Sequence, residues 1–267
     1  MMFFYRICSF AVQWETRIRD VFAMILEAKD IEKWYLRGKG DSNRFYAVRR
    51  ADLVLEPGKV TVLTGRSGSG KTTLMNMLAG LLTPDGGEVR LDQQDLYSMD
   101  DDTLSKLRNR HFGMIPQGAD VLPELTVMEN ILLAQGIYKR RSEVPPVNAD
   151  DRESLSFQDT ADRLLEQMEI SHLAQVQAKE LSGGERRRAC IARALAGGAE
   201  FIFADEPTSD LDDENMRIIL VMLRKTADQG SAVLIVSHDM EAQEYADLRY
   251  RMDGGIIAPY TGSDTVT

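Results

Sequence analysis

The chain has 267 residues, 43% of them hydrophobic and 28% charged. That is enough to bury a core as one large α/β domain or two modest ones, and it excludes collagen-like, coiled-coil and disordered classes. Lys and Arg number 32 against 42 Asp and Glu, a formal charge of −10 that repels phosphate backbones and argues against nucleic acid as a general partner.

In chain order, residues 1–25 mix aromatics with Arg without a strand or helix period and read as an N-terminal extension, with Met24 as an alternative start. The apolar opening is broken by Arg6, and no stretch reaches the roughly 18 apolar residues that a bilayer span requires. Cys8 and Cys190 have neither metal-ligand nor redox spacing, as expected of a reducing, cytoplasmic compartment. From Leu26 onward, short β-rich runs alternate with amphipathic helices. Residues 60–64 (VTVLT) read as a strand. A helix from Lys71 is predicted, with Leu74, Met77, Leu78, Leu81 and Leu82 on one face, ending before Pro84.

Between that strand and that helix, residues 65–72 read GRSGSGKT and fit G-x-x-x-x-G-K-[ST]. Gly65, Gly68 and Gly70, with Arg66, Ser67 and Ser69 between them, let successive backbone N–H groups curl around a phosphate. The helix N-terminus adds its dipole. Lys71 neutralises β and γ oxygens, the Thr72 hydroxyl ligates Mg²⁺, and Thr73 completes the nucleotide-binding run.

The middle of the chain reads as a helical insert. Residues 126–136 (TVMENILLAQG) open with a capping box, Thr126 and Glu129, while Ala161, Leu164, Leu165 and Met168 mark another helix. Residues 139–158, polar with a double proline, read as a long exposed loop. Residues 181–185 (LSGGE) carry a second capping box, Ser182 and Glu185, and lead into the helical run RRRACIARALA. The box does not require Gly183 and Gly184. Their exposed N–H groups beside the Ser182 hydroxyl make a second phosphate-binding surface, and one nucleotide cannot easily use both surfaces of one chain. A two-fold dimer, each chain closing on the other's nucleotide, resolves this. The basic triplets 186–188 and 139–141 read as a solvated helix face and loop.

Residues 201–204 (FIFA) and 232–236 (AVLIV), apolar on both faces, read as buried parallel strands, which makes the fold class α/β. The first ends in Asp205 and Glu206 at the sheet edge facing the phosphate loop. Asp205 is placed to hold Mg²⁺ through water, and Glu206 to orient the attacking water or take its proton.

The ordered set GRSGSGKT, Gln117 in MIPQG, LSGGE, FIFADEP, TSDLD (208–212) and His238 in IVSHD resembles the nucleotide-binding subunit of an ABC transporter. The resemblance covers nearly all of residues 26–259. It implies a P-loop NTPase (RecA-like) core with mixed sheet, an ATPase domain over 26–260 with a helical subdomain at about 119–185, and a tail at 261–267. It further implies MgATP, Gln117 as a Mg²⁺ ligand at the start of the loop where a membrane partner docks, and Asp210 and Asp212 at the dimer interface. By the same resemblance His238 reaches the γ-phosphate, and Tyr35 in KDIEKWYL stacks on adenine, with Tyr46 as the competing candidate. The stretch after Gln117 is similar to the lipoprotein-release and macrolide-export branch. The expected assembly is a head-to-tail dimer on the cytoplasmic face of the inner membrane, serving separate transmembrane permease subunits, without nucleic acid. An alternative of the same shape is an envelope or cell-division regulator that transmits force without moving a solute. Acidic Asp210 departs from the small or amide residue common in the family.

Overall fold

The computed structural model describes residues 24–36, 44–139 and 157–260. The expectations for the N-terminal extension, the tail and most of the 139–158 loop lie outside them.

Two sheets share the molecule. The strands β1 (Leu26–Leu36), β2 (Arg44–Leu55), β4 (Gly86–Leu91) and β5 (Gln94–Asp95) form an antiparallel sheet in the order β2-β1-β4-β5. A six-stranded sheet is built from β3 (Val60–Thr64), β6 (Phe112–Ile115), β7 (Phe201–Asp205), β8 (Ala232–Ser237), β9 (Leu248–Asp253) and β10 (Ile256–Pro259). Its order is β10-β9-β3-β8-β7-β6, parallel except for β10 at the edge. The three apolar runs at 60–64, 201–205 and 232–237 are buried at every residue. Both faces are covered, which is what continuous apolar runs in a parallel sheet demand.

Side chains alternate across that sheet and so feed two cores. Leu63, Phe201, Phe203, Leu234 and Val236 pack with β1, β2 and helix α1 (Lys71–Leu78). Val62, Ile202, Ala204, Val233 and Ile235 pack with helices α3 (Val127–Lys139), α4 (Phe157–Gln167), α5 (Gly183–Leu195) and α6 (Asp213–Asp228). Helix α2 (Asp101–His111) adds Leu104 to the first of these cores and leads into β6. The helical insert is present. Thr126 and Glu129 close the capping box of α3, with the carboxylate accepting from Thr126 N at 2.7 Å. Ala161, Leu164, Leu165 and Met168 are buried as their spacing requires.

Helix α1 is shorter than its periodicity predicts. It ends at Leu78, because Gly80 turns left-handed at φ 66° and the N–H groups of Leu81 and Leu82 fold back onto the Asn76 carbonyl at 2.9 and 3.1 Å. Leu81 is 53% exposed. No helix of the described residues is long and apolar enough to cross a membrane.

Candidate active site

The loop of residues 65–70 leaves β3 and enters α1 under close constraint from both sides. A Cβ on Gly70 (φ 107°) would stand 2.0 Å from the Ala47 carbonyl oxygen, and one on Gly65 would stand 2.2 Å from that of Met252. Ser69 O accepts from Gly255 N at 3.0 Å, whose own carbonyl accepts from Arg49 N at 2.7 Å. Both sheets therefore clamp the loop, and only glycine fits at the contacts.

Inside the loop, Lys71 is 6% exposed and its Nζ donates to the carbonyls of Gly65 (2.8 Å) and Arg66 (3.1 Å). Ser69 Oγ is buried without a partner. A buried, unpartnered hydroxyl in the same loop as a buried ammonium suits a ligand oxygen. Gly70 gives α1 no side-chain cap, and its first helical bond is Leu74 N to Gly70 O. The preceding amides of Lys71, Thr72 and Thr73 form the anion-binding end of the helix.

Two carboxylates meet this loop at the end of β7. Thr72 Oγ1 donates to Asp205 Oδ1 at 3.2 Å. Asp205 is 7% exposed, and burial pushes its carboxyl above the usual range, with the charge of Glu206 adding to that rise and Thr72, Lys71 and Arg187 opposing it. Such a carboxylate, poorly compensated by protein alone and paired with a hydroxyl, is a hard-oxygen donor set that fits Mg²⁺ brought in with phosphates. Glu206 sits in the left-handed region at φ 45°, its N–H bonded to Val236 O at 2.8 Å. Holding a non-glycine residue there costs on the order of 1–3 kcal/mol and is a mark of functional positions. Its Oε2 accepts from His238 N (3.3 Å) and Ser237 Oγ (3.4 Å), and lies 2.8 Å from His238 Nδ1.

The remaining expected residues divide. Gln117 is exposed just beyond β6, and its carbonyl is taken by Arg187 at 2.9 Å. Tyr35 is 43% exposed near the end of β1, opposite Phe45 of β2. Tyr46 is half-buried, with the Arg49 guanidinium 5.1 Å from its ring centre. Lys33 Nζ lies 6.0 Å from the Tyr35 ring centre, so each ring has a cation near it, and Tyr35 is the more exposed of the two. Asp210 adopts φ 60°, and Asp212 caps α6 by accepting from Asn215 N at 2.8 Å.

At the head of α5, Ser182 and Glu185 form the reciprocal box: Glu185 Oε2 accepts from Ser182 N (2.8 Å) and Ser182 Oγ (2.7 Å). The Ser182 hydroxyl, then its N–H, hold the Glu185 carboxyl below its usual range. Among the described residues no hydrogen bond joins 182–185 to the phosphate loop. The basic triplet that follows is not a solvated face throughout: Arg187 is 4% exposed and donates to six backbone carbonyls. This residue was missed because a run of Arg reads as polar. The signal was its place on the stripe Arg187, Ile191 and Leu195, each 7% exposed or less.

Known proteins resemble this chain in sequence and fold. The family model for the ABC transporter matches residues 48–209. The chain is 33% identical over 238 residues to the lipoprotein-releasing system ATP-binding protein LolD of Hydrogenovibrio crunogenus, covering 88% of this chain and 97% of that protein. It is 36% identical over 221 residues to the macrolide export ATP-binding/permease protein MacB of Rhodopseudomonas palustris, covering 83% of this chain and 32% of the relative. It is 33% identical over 241 residues to the probable syringafactin export ATP-binding/permease protein SyfD of Pseudomonas syringae, covering 90% of this chain and 35% of the relative. The chain thus spans about a third of the length of these two export proteins. Among solved structures, a dimeric ATP-binding cassette in a post-hydrolysis state with ADP and Pi superposes with a TM-score of 0.74 at 28% identity, covering 89% of this chain and 99% of the other.

Proposed function

Because the chain belongs to the ABC transporter family and is an ATP-hydrolysing cassette of the LolD and MacB type, we propose that it powers a membrane permease by ATP-driven closure of a two-fold dimer. The permease is a separate polypeptide on this reading, and the cassette works on the cytoplasmic face of the membrane. The observation that carries the reading is the 3.2 Å approach of Thr72 Oγ1 to Asp205 Oδ1, with Lys71 curled in the loop on one side and Glu206 on the other. When bound, MgATP supplies the phosphoryl group and the electrophilic charge at its oxygens.

The chain's own residues then have distinct tasks. The Lys71 ammonium exchanges the Gly65 and Arg66 carbonyls for phosphate oxygens. Thr72, Asp205 and Gln117 offer oxygen ligands to Mg²⁺. Glu206 orients water, and His238, already on its carboxylate at 2.8 Å, fixes that side chain and lies within reach of the transferred group's surroundings. Tyr35 offers its exposed ring as the adenine platform.

Gly183 supports the dimer. A Cβ there would meet nothing within 4 Å, and it has no left-handed backbone to explain a glycine. Among the described residues nothing calls for a bare backbone there, and on this reading the nucleotide held by a second copy does. Homologous cassettes 28% identical to this chain are dimeric in their solved structures, which supports the reading.

Glu206→Gln tests this. The variant is expected to bind ATP and accumulate as a dimer with MgATP, read by light scattering. A mass that stays monomeric with ATP would overturn the sandwich.

A further inference from the structure

Arg187 projects from the second turn of α5 into the space beneath two loops. Its Nη1 donates to the carbonyls of Pro116 (2.5 Å), Gln117 (2.9 Å) and Gly118 (2.9 Å). Its Nη2 donates to those of Asp205 (3.4 Å) and Glu206 (2.9 Å), and its Nε to that of Pro207 (2.9 Å). The side chain is thus surrounded by main-chain oxygens of the two segments that leave β6 and β7. These strands are parallel neighbours, with Ile115 opposite Ala204, and their ladder stops just before those segments. Past that point Arg187 replaces the ladder as the tie between the two loops.

The chemistry is specific. Burial lowers the Arg187 pKa, yet a guanidinium starts so high that it stays charged. Among the described residues no carboxylate forms a salt bridge with it. For packing alone, an apolar side chain of similar volume serves a core as well or better than a buried charge. A planar fork with five N–H donors does what no apolar residue can, because it fixes the spacing between two stretches of backbone. One stretch carries Gln117, the other Asp205 and Glu206. Both are bonded by Arg187 to a helix whose first residues are Gly183 and Gly184.

We propose that Arg187 is a positioning residue for ATP hydrolysis, holding the Gln117 and Asp205–Glu206 segments in register beneath the head of α5. This rests on the roles given above to Gln117, Asp205 and Glu206. It predicts a loss in turnover and in the use of Mg²⁺, with binding of the nucleotide itself little changed, because Lys71 and residues 65–70 do not touch the guanidinium.

The test uses the full chain with Arg187→Gln and Arg187→Lys, checked for folding by thermal melting. ATP affinity is measured by calorimetry in EDTA, and steady-state hydrolysis is titrated with Mg²⁺. Folded Arg187→Gln is expected to bind ATP within about threefold of the parent, to lose about ten- to hundredfold in kcat, and to need more Mg²⁺ for half-maximal rate. Arg187→Lys, which keeps the charge but not the fork, recovers part of the rate. Combined with Gln117→Ala, the losses are expected to fall short of the product of the two singles, since both act through one loop. Parental kcat and Mg²⁺ dependence in folded Arg187→Gln, or losses that simply multiply, would overturn the proposal. If Arg187→Gln melts below the assay temperature, the same readings are taken on Arg187→Lys, where parental kinetics overturn it equally. Glu206→Gln run in parallel separates the two readings. If it hydrolyses ATP at the parental rate, the site assignment fails whatever Arg187 does. If it is inactive while the Arg187 variants are normal, only the positioning role fails.

Discussion

At the scale of single residues, the phosphate loop gives the sharpest contrast between two glycines that look alike in sequence. Gly68 and Gly70 both have positive φ, 77° and 107°. Around Gly68 a Cβ would meet nothing within 4 Å, whereas at Gly70 it would press on the Ala47 carbonyl, a backbone atom that cannot rotate away. Gly68→Ala is therefore expected to cost about 1 kcal/mol of backbone strain. Gly70→Ala should cost at least about twice that and should displace β2 from the loop, with ATP affinity falling alongside. Urea unfolding and nucleotide calorimetry on the pair check this; equal losses would mean that conformation, not the Ala47 contact, sets the requirement. Lys71, Thr72, Asp205 and Glu206 were legible because their chemistry is written as fixed spacing next to a strand. Arg187 was not legible in the same way. Three consecutive arginines spread over roughly 200° of a helix, so one of them must leave the solvent face, and only the packing decides which.

At the scale of elements, strands that are apolar on both faces could be read without a partner, and the three runs at 60–64, 201–205 and 232–237 sit where that pattern placed them. Helix α1 could not be bounded so well. Leu82 still packs against the core after the helix has ended at Leu78, so its periodicity reported burial and not helix. The antiparallel sheet was less legible still, because β1 pairs with β2 and β4 through register shifts that no local spacing encodes. Side-chain bonds add to its ladders, among them those of Asp85. Asp85 accepts from Trp34 N (2.9 Å) and Lys33 Nζ (3.0 Å), fastening the turn before β4 to β1. Partial burial raises its carboxyl pKa, but the Trp34 N–H and then the Lys33 ammonium outweigh this, for a net lowering from 3.8. A folded pKa below the unfolded one means stability that is present above about pH 4 and lost as pH falls through the folded value. Asp85→Asn is expected to cost about 1–2 kcal/mol at pH 7. The gap between variant and parent should close as pH drops below about 4 in denaturant titrations. A gap that persists at pH 3 would show that shape, not charge, holds the turn.

At the scale of the whole molecule, the excess of acidic residues has to coexist with binding of an anion, and local geometry resolves it: a buried ammonium, two helix N-termini and a glycine-lined loop act against a repulsive global field. At one of those N-termini, the head of α5, the carboxylate of Glu185 is already taken up by the cap with Ser182. At Gly183 the surroundings are open, the residue is exposed, and Ser182 already completes the cap through Glu185. An aspartate placed there would meet no clash and would lie in the first turn of α5, where a negative charge favours the helix by a few tenths of a kcal/mol. Gly183→Asp is therefore expected to fold at least as stably as the parent and to bind ATP with parental affinity, since its own phosphate loop is untouched. Toward the triphosphate of a second copy the same carboxylate is both an obstruction and a like charge. Hydrolysis should fall by about a hundredfold or more, as for loss of preorganised N–H donors around a transferred group, and the variant placed in the Glu206→Gln background should no longer form the ATP-dependent dimer. Parental turnover in a folded Gly183→Asp protein would mean that the head of α5 does not close on a partner's nucleotide.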